Sequence, residues 1–593
     1  MSMPTDTQRM EKIVSLCKRR GFIFQSSEIY GGLNGAWDYG PLGVELKRNL
    51  KNYWWRVMVH ERDDVVGMDG SILTPPTVLE ASGHVEGFSD PMVDCLTTGK
   101  RFRADQIEPQ SGWVASFFGA VDSASWQKLL KEQGAPERST VWSQIDLAPV
   151  LRRLLSNLNS GSREGVGGFV KLQESDREQA EALKKAIGCS LFMTSSLDPF
   201  SAMDIGSDRI GPKPLLSSKR FNPAIATALE YYRKRGIREP IVFIDNFQFV
   251  EDTKGFNPEG GSLLTEPRAF NLMFKTYVGA TEDESSLTYL RPETAQAIFV
   301  QFKNILEVSR KKLPFGIAQI GKAFRNEINP RNFTFRSREF EQMELEYFCR
   351  PEQGMELLEY WKEERLKFYE DIGIPRSKLH VLTVPDEERA FYSKGTYDIE
   401  YDFPFGCQEL EGVAYRTDYD LSQHQKASGK ALEYFDEETK QKFIPHVVEP
   451  SAGVDRTVLA LICEAYAEDQ APDEKGKMET RIVLRFHPRM APIKCAVFPL
   501  LKNKEPLVAK AKEIVDLLRP HMYVFYDESG AIGRRYRRQD EIGTPFGVTV
   551  DFETLGEKDP ALRDTVTVRD RDSMRQERVA IQDLPVILRE RIR

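Results

Sequence analysis

Between positions 325 and 346 the sequence crowds Arg325, Arg331, Arg336 and Arg338 against Glu327, Glu339, Glu341, Glu344 and Glu346, with apolar residues threaded between. Charges at this density either form a surface ion-pair ladder or hold a ligand that is anionic at one end and cationic at the other. In a ladder each exposed pair contributes only about 0–1 kcal/mol. A hairpin with arginines on both arms, joined through INPRNF, favours the ligand, because guanidinium forks bind phosphoryl oxygens bidentately. Arg456 follows a glycine turn in GVDR at the head of a helix, where backbone approach is unhindered. Carboxylates recur in matching settings at Glu293, Glu409 and Glu449. The chemistry this set supports is positioning and charge neutralisation, as phosphoryl and nucleotidyl transfer allow.

Other chemistries lack their residues. There is no G-x-S-x-G, no G-x-x-x-x-G-K-[ST], no G-x-G-x-x-G and no H-E-x-x-H. The 7 cysteines (Cys17, Cys95, Cys189, Cys349, Cys407, Cys463 and Cys495) are scattered without a C-x-x-C pair, and the 7 histidines are equally dispersed. Reduced thiols follow, and metal held by Cys or His is not expected. No apolar run approaches the roughly 20 residues that span a bilayer, and the start MSMPTDTQRMEKIV has no apolar targeting core, so the cytoplasm is the expected location.

The elements that must position these residues are partly legible. Hydrophobic residues make up 40% of the 593 and charged residues 29%, the balance of a globular protein with an ample core. In residues 41–58, Leu42, Leu46, Leu50, Trp54 and Met58 recur every four positions behind Pro41, predicting an amphipathic helix that serves as a core or dimer face. The segment 105–235 carries no chemical motif, and SNLNSGSREGVGGFV at 156–170 has linker composition. From 241 strands dominate: IVFIDNFQFV, the charged hairpin, YDIEYDFPFGCQELEGVAY and VVEPSAG. Helices are expected from Pro292, with Ile298, Phe299, Phe302, Ile305 and Leu306 on its apolar face, around 352–371, and after GVDR. Without a regular βαβ beat, this predicts an α+β domain with a largely antiparallel sheet. After 481 the strands KCAVFPL, HMYVFYD, FGVTVDF and TVTVRD alternate with helices near 504–518 and 534–542, a compact α/β module. That module holds 22 Lys and Arg against 17 Asp and Glu, while the whole chain is at −8, so an acidic body precedes a basic tail. The expected divisions are 1–104, 105–240 as an insertion, 241–480, and 481–593.

FRNEINPR…FRSREFEQMELE resembles motif 2 of the class II aminoacyl-tRNA synthetases, and GVDR resembles their motif 3. RPETAQAIF, FEQMELE, VEPSAGVDR and IGRRYRRQDEIGTPFGVTVDF together are similar to the single-chain, homodimeric glycyl-tRNA synthetase family, over about 20–105 and 240–593. The resemblance implies an α+β catalytic domain whose antiparallel sheet is flanked by helices, an insertion, and a C-terminal α/β anticodon-binding domain. It implies activation of glycine with ATP and Mg2+ to glycyl-adenylate, then transfer to the 3′ end of tRNA(Gly), releasing AMP and diphosphate. The 41–58 helix would then be motif 1, the homodimer element.

Family roles carry over to matching positions as expectations. Arg325 would hold the α-phosphate of ATP and Arg456 the far phosphates, as the catalytic pair. Asn326, Glu327, Phe335, Arg336, Ser337, Arg338, Glu339 and Phe340 would frame the nucleotide, with Phe340 on the adenine. Glu409 and Leu410 would lie at the ATP, Glu409 reaching its magnesium, and Gly453, Val454 and Asp455 would complete the nucleotide site. Glycine would meet Arg103, Glu293, Phe340, Glu341, Gln342, Met343, Glu344, Glu449, Pro450, Ser451, Ala452 and Gly453. Binding cannot select glycine by a side chain, so exclusion of anything larger is the available device. Arg534, Arg535, Arg537 and Arg538, with Arg569, Arg571, Arg575 and Arg578 farther on, would face the tRNA.

Several positions depart from the family. Ala297 stands where glycine is common, Gly547 where cysteine is frequent, and CLTTG and NPEGG where many members carry cysteine pairs, so the family's zinc knuckle is not expected. The 105–235 insertion is expected to approach the tRNA acceptor stem. A catalytically dead relative that only binds nucleic acid would have lost Arg325 and Arg456, and both are present. Related adenylating enzymes would lack the pairing of EPSAG with RPETAQ.

Overall fold

In the computed structural model the described residues are 6–95, 98–122, 169–171, 194–198, 230, 233, 234, 236–238, 240–259, 263–390, 392–472 and 477–593. The chain divides into two compact units, one of residues 1–88 with 272–593 and one of residues 89–271. The boundaries read from sequence at 104 and 240 both fall inside the second unit. Positions 156–168 of the linker reading lie outside the described residues.

The first unit is built on α1 (Asp6–Arg20), α2 (Pro41–Trp55), β1 (Val65–Gly67), α3 (Pro76–Ala81), α4 (Ala295–Ser309), β2 (Phe315–Phe324), β3 (Glu339–Cys349) and α5 (Gly354–Asp371). It continues with β4 (Leu379–Thr383), β5 (Gly395–Phe403), β6 (Gly406–Thr417), α6 (Tyr419–Ser428), β7 (His446–Gly453) and α7 (Val454–Ala465). The seven strands form one sheet in the order β4-β5-β6-β7-β3-β2-β1, antiparallel except where β1 joins β2. Pro41 starts α2 behind an extended Gly40, where a missing N–H costs nothing. The predicted 41–58 helix keeps α-geometry to Trp55 and widens into a π-helical turn over Arg56–His60. The helix expected from Pro292 begins at Ala295.

Residues opposite one another on neighbouring strands share a face, and successive residues alternate. Phe315 pairs with Phe348, Gln319 with Glu344, and Gly321 with Gln342 across β2 and β3. Glu344 pairs with Ser451 across β3 and β7, and Ala414 with Glu449 across β6 and β7. One face carries Ala318, Met343, Leu345, Tyr347, Val413, Tyr415, Val448 and Ala452 into the main core, together with Leu46, Leu50 and Trp54 of α2, Trp361 of α5 and Leu459 of α7. The opposite face is apolar at one end only, where Phe315, Ile317, Phe348 and Val447 pack under Ile298, Phe299 and Phe302 of α4. Beyond that cover the same face turns polar, and the site lies there.

In the C-terminal part, β8 (Cys495–Pro499), α8 (Glu505–Leu518), β9 (Val524–Tyr526), α9 (Ile532–Ile542), β10 (Phe546–Val550), β11 (Thr565–Asp570), β12 (Gln576–Ala580) and α10 (Leu584–Ile592) form a mixed sheet with helices, ordered β9-β8-β10-β11-β12. Its core joins Val497, Ile514, Val548, Val566 and Leu588. The elements predicted after 481 are present, and β12 and α10, which the sequence reading did not include, complete the module.

In the second unit, Ser89–Asp94 pairs with Arg268–Asn271 and Arg101–Arg103, and the long strand Gln110–Asp122 pairs antiparallel with Pro240–Thr253. Arg103 belongs to this unit, where it is paired with Asp90 at 2.8 Å and Asp105 at 2.6 Å.

Candidate active site

RPETAQ acts as a hub. Arg291 is buried and donates through Nε to the Lys322 carbonyl at 2.6 Å and through Nη1 to the Gly70 carbonyl at 2.9 Å. Gly321 leaves room beside it, since a Cβ there would stand 2.1 Å from Arg291 Nη2 and displace the guanidinium. So held, the segment aims the next residues at the polar face. The Pro292 carbonyl accepts from Arg325 Nε at 3.0 Å, Thr294 Oγ1 donates to Glu344, and Gln296 Nε2 donates to Glu293 at 3.0 Å and to Asp420 at 3.1 Å.

Around this hub acids outnumber bases. Glu344, Glu346 and Glu449 present oxygens within 4.8 Å of one another, and all three are buried. Arg416, 2% exposed, grips Glu449 at 2.9 and 3.0 Å and Asp420 at 2.8 and 2.9 Å. No lysine or arginine forms an ion pair with Glu344 or Glu346 among the described residues, and neither oxygen of Glu346 has a hydrogen-bond partner there. Burial, then the neighbouring Glu449 and Glu293, pushes Glu344 up to about 8. Burial and Glu449 push Glu346 well above the carboxylate range. Burial works against Glu293 as well, but His84 Nε2 at 3.3 Å and Arg416 outweigh it and hold Glu293 below the usual range. These groups titrate as one coupled set. A buried set short of positive charge is built to accept a small cation.

The other end of the face is basic. Arg325 lies between the rings of Phe88 and Phe340, with Cζ 5.2 and 5.4 Å from their centroids. Beyond the bond from Nε to Pro292, its guanidinium makes no hydrogen bond among the described residues. Arg456 sits over Phe335 at 4.5 Å and donates to the Phe335 carbonyl at 3.2 Å and to Glu409 Oε2 at 3.1 Å. Arg336 meets Glu327 at 3.4 Å. Asp398, on β5 opposite Gly412, is pushed up to about 7 by burial and by Glu409 and Glu400. A single cavity of about 350 Å3 runs from this basic end to the acid cluster.

Of the positions expected at the site, Glu293, Arg325, Glu327, Phe335, Arg336, Ser337, Phe340, Glu341, Gln342, Glu344, Glu409, Leu410, Glu449, Ser451, Gly453, Asp455 and Arg456 border the cavity. Glu341 and Asp455 face Lys47 of α2, at 2.6 and 2.8 Å, with the Glu341 N–H donating to Asp455 at 2.7 Å. These two carboxylates tie β3 and the head of α7 to α2. The remaining first-unit positions do not border the cavity. Met343 and Ala452 alternate into the main core, Val454 enters it from the first turn of α7, and Pro450 is buried opposite Val413. Glu339 is an exposed partner of Lys322, Arg338 braces the Glu327 and Asn34 carbonyls, and the Asn326 N–H donates to the Leu272 carbonyl at 2.6 Å. Arg103 belongs to the second unit and is paired there with Asp90 and Asp105. The sequence reading missed Arg416, Asp398, Thr294 and Tyr392, which bind or border the same groups. The alternation in EGVAYRT, which carries Gly412, Ala414 and Arg416 on one face, is the signal that finds Arg416.

The four arginines of α9 also divide. Arg535 is 2% exposed and donates to the Pro499 and Gly530 carbonyls, so the expectation that it faces RNA is corrected: its charge caps backbone inside the module. Arg569, at 2.9 Å from Asp540, and Arg571, on the Gly543 and Phe486 carbonyls, are likewise internal. Arg538 pairs with Asp527 at 2.6 Å, Arg537 lies 3.5 Å from Asp540, and Arg578 meets Asp551 and Glu553. Arg534 and Arg575 are exposed.

Residues 274–466 match the family model "tRNA synthetase class II core domain (G, H, P, S and T)", and residues 494–591 match "Anticodon binding domain". The chain is 42% identical to a glycine–tRNA ligase of Thermobifida fusca, over 100% of this chain and 99% of that protein. It is 44% identical to the glycine–tRNA ligase of Thermus thermophilus over 98% and 99% of the two chains, and 43% identical to that of Clostridium acetobutylicum over 99% and 100%. With the class II core, the anticodon-binding domain and full-length identity at this level, the chain belongs to the glycine–tRNA ligase family of class II aminoacyl-tRNA synthetases.

Proposed function

We propose that the chain joins glycine to tRNA(Gly), first forming glycyl-adenylate from glycine and ATP and then transferring glycine to the terminal ribose. The observation that carries this reading is the polarity of one cavity, with Arg325, Arg336 and Arg456 at one end and Glu293, Glu344 and Glu449 at the other. ATP phosphates suit the first end and the ammonium of glycine suits the second. The glycine carboxylate would then attack the α-phosphate beside Arg325, whose unoccupied terminal nitrogens neutralise the charge that builds there. No protein nucleophile is required in either step. Glu409 and Asp398 offer the oxygen donors that a magnesium ion bound with ATP prefers, and that ion would neutralise phosphate charge. Tyr392, whose ring lies 4.0 Å from Arg416 Cζ, and Glu344, which accepts from Ser451, border the end of the cavity where a larger side chain would have to fit. On the family's pattern the working form is a cytoplasmic homodimer, and exposed Arg534 and Arg575 are the first candidates for RNA contact.

Amino-acid-dependent exchange of pyrophosphate into ATP tests the first step. Glycine alone, among glycine, alanine, serine and proline, is expected to support exchange. Exchange with none of them would reject adenylation, and equal exchange with alanine would reject exclusion as the selecting device.

The acid cluster adds a pH signature. The ammonium needs an ionised Glu344, so glycine binding must release the proton that this carboxyl holds below about pH 8. Glycine affinity is therefore expected to rise with pH between about 6.5 and 8.5, by at most about tenfold per pH unit for one proton. Glu344→Gln should flatten that profile as well as weaken binding. A flat wild-type profile in glycine titrations would remove Glu344 from the ammonium site.

A further inference from the structure

We propose that His380, Asp402 and Cys407 form a binding site for one divalent cation of the zinc class, at the outer end of the active-site sheet. His380 lies on the edge strand β4, Asp402 on β5, and Cys407 at the start of β6. His380 stands opposite Glu400, and Asp402 stands opposite Cys407, so Glu400 and Asp402, two apart on β5, bring all four side chains to one face. The ligand atoms of His380, Asp402 and Cys407 already lie within 4.8 Å of one another, with His380 Nε2 3.0 Å from Asp402 Oδ1. Cys407 Sγ lies 3.7 Å from Glu400 Oε2, which offers a fourth donor. Zinc held tetrahedrally at its usual bond lengths keeps neighbouring ligand atoms about 3.3–3.8 Å apart. Side-chain rotation alone closes the difference.

The donor set argues for the class of ion. An imidazole, a thiolate and carboxylates suit zinc and its neighbours, whereas magnesium and calcium take oxygen alone. Two carboxylates supply the charge, and the competing cation is Lys378, whose Nζ lies 3.8 Å from Asp402 Oδ2 on a half-exposed side chain that can swing clear. The site is distinct from the oxygen pair Glu409 and Asp398 of the cavity, although all of them sit on the β5–β6 ribbon. A bound ion would clamp the edge strand β4 to the hairpin that carries Glu409. No sequence signature marks it, because the three ligands come from three strands with no Cys-x-x-Cys or His-x-x-His spacing.

The full-length chain, stripped with a chelator and titrated with Co2+ as an optical probe, tests this. The expected result is one high-affinity Co2+ per chain with a thiolate-to-cobalt charge-transfer band, displaced by Zn2+. Cys407→Ser should abolish the band, and His380→Ala should weaken binding at least about tenfold while pyrophosphate exchange with glycine is retained. Absence of a thiolate band, or a band that survives Cys407→Ser in a chain still active in exchange, overturns the assignment.

Discussion

Arg325→Lys is expected to slow glycine-dependent pyrophosphate exchange by about 10²–10³-fold, the cost of removing one preorganised donor from a developing anion. The reasoning starts from what each arginine of the cavity is already doing. Arg416 is saturated by two carboxylates, Arg456 is divided between Glu409 and a carbonyl, and Arg336 faces Glu327. Arg325 alone of these uses only Nε for structure, on the Pro292 carbonyl, and keeps its fork turned to the cavity between two rings. Lysine keeps the charge but loses both the anchoring Nε bond and the bidentate fork. The loss should appear in kcat, with the KM for glycine little changed, because the contact tightens at the α-phosphate in the transition state. A KM effect alone would place Arg325 in ground-state binding instead.

Arg416→Met is expected to destabilise the first unit by about 3–5 kcal/mol, since it strands two buried carboxylates that now share one guanidinium. Urea midpoints with unchanged slope would measure it, read by a probe in the catalytic core. Adding Glu449→Gln and Asp420→Asn to the same chain should recover much of the loss, because the penalty belongs to the uncompensated charges. A single-variant cost below about 1 kcal/mol would mean that the carboxylates take up protons at little expense.

What could be read from the chain depended on whether a function sits in a continuous segment. The charged hairpin, RPETAQ, EPSAG and GVDR are short runs whose own order carries their meaning, so the fold class and both poles of the cavity follow from them. Arg416 and Asp398 matter through partners on other strands, and alternation within EGVAYRT hints at one of them without naming its carboxylates. Met343 and Ala452 fell into the expected set because a motif is copied as a block, whereas a strand turns every second residue away. The arginines of α9 misled for a different reason. A long side chain can bury its stem and carry its charge to an internal carbonyl, and only the packing beneath the helix decides between that and solvent. Arg535 does the former and Arg534 the latter.

The order of strands in the main sheet also bears on how the site is held together. β1, β2 and β3 lie together at one side, although β1 comes far ahead of β2 in the chain, and β4, β5 and β6, which follow one another in sequence, lie at the other. β7, the last of the seven to be synthesised, occupies the middle and pairs with both β3 and β6. Neither half holds a complete pocket by itself. Ser451 of β7 donates to Glu344 on one half, and Glu449 of β7 accepts from Arg416 on the other. The substrate site therefore depends on a single central strand that joins two three-stranded ribbons.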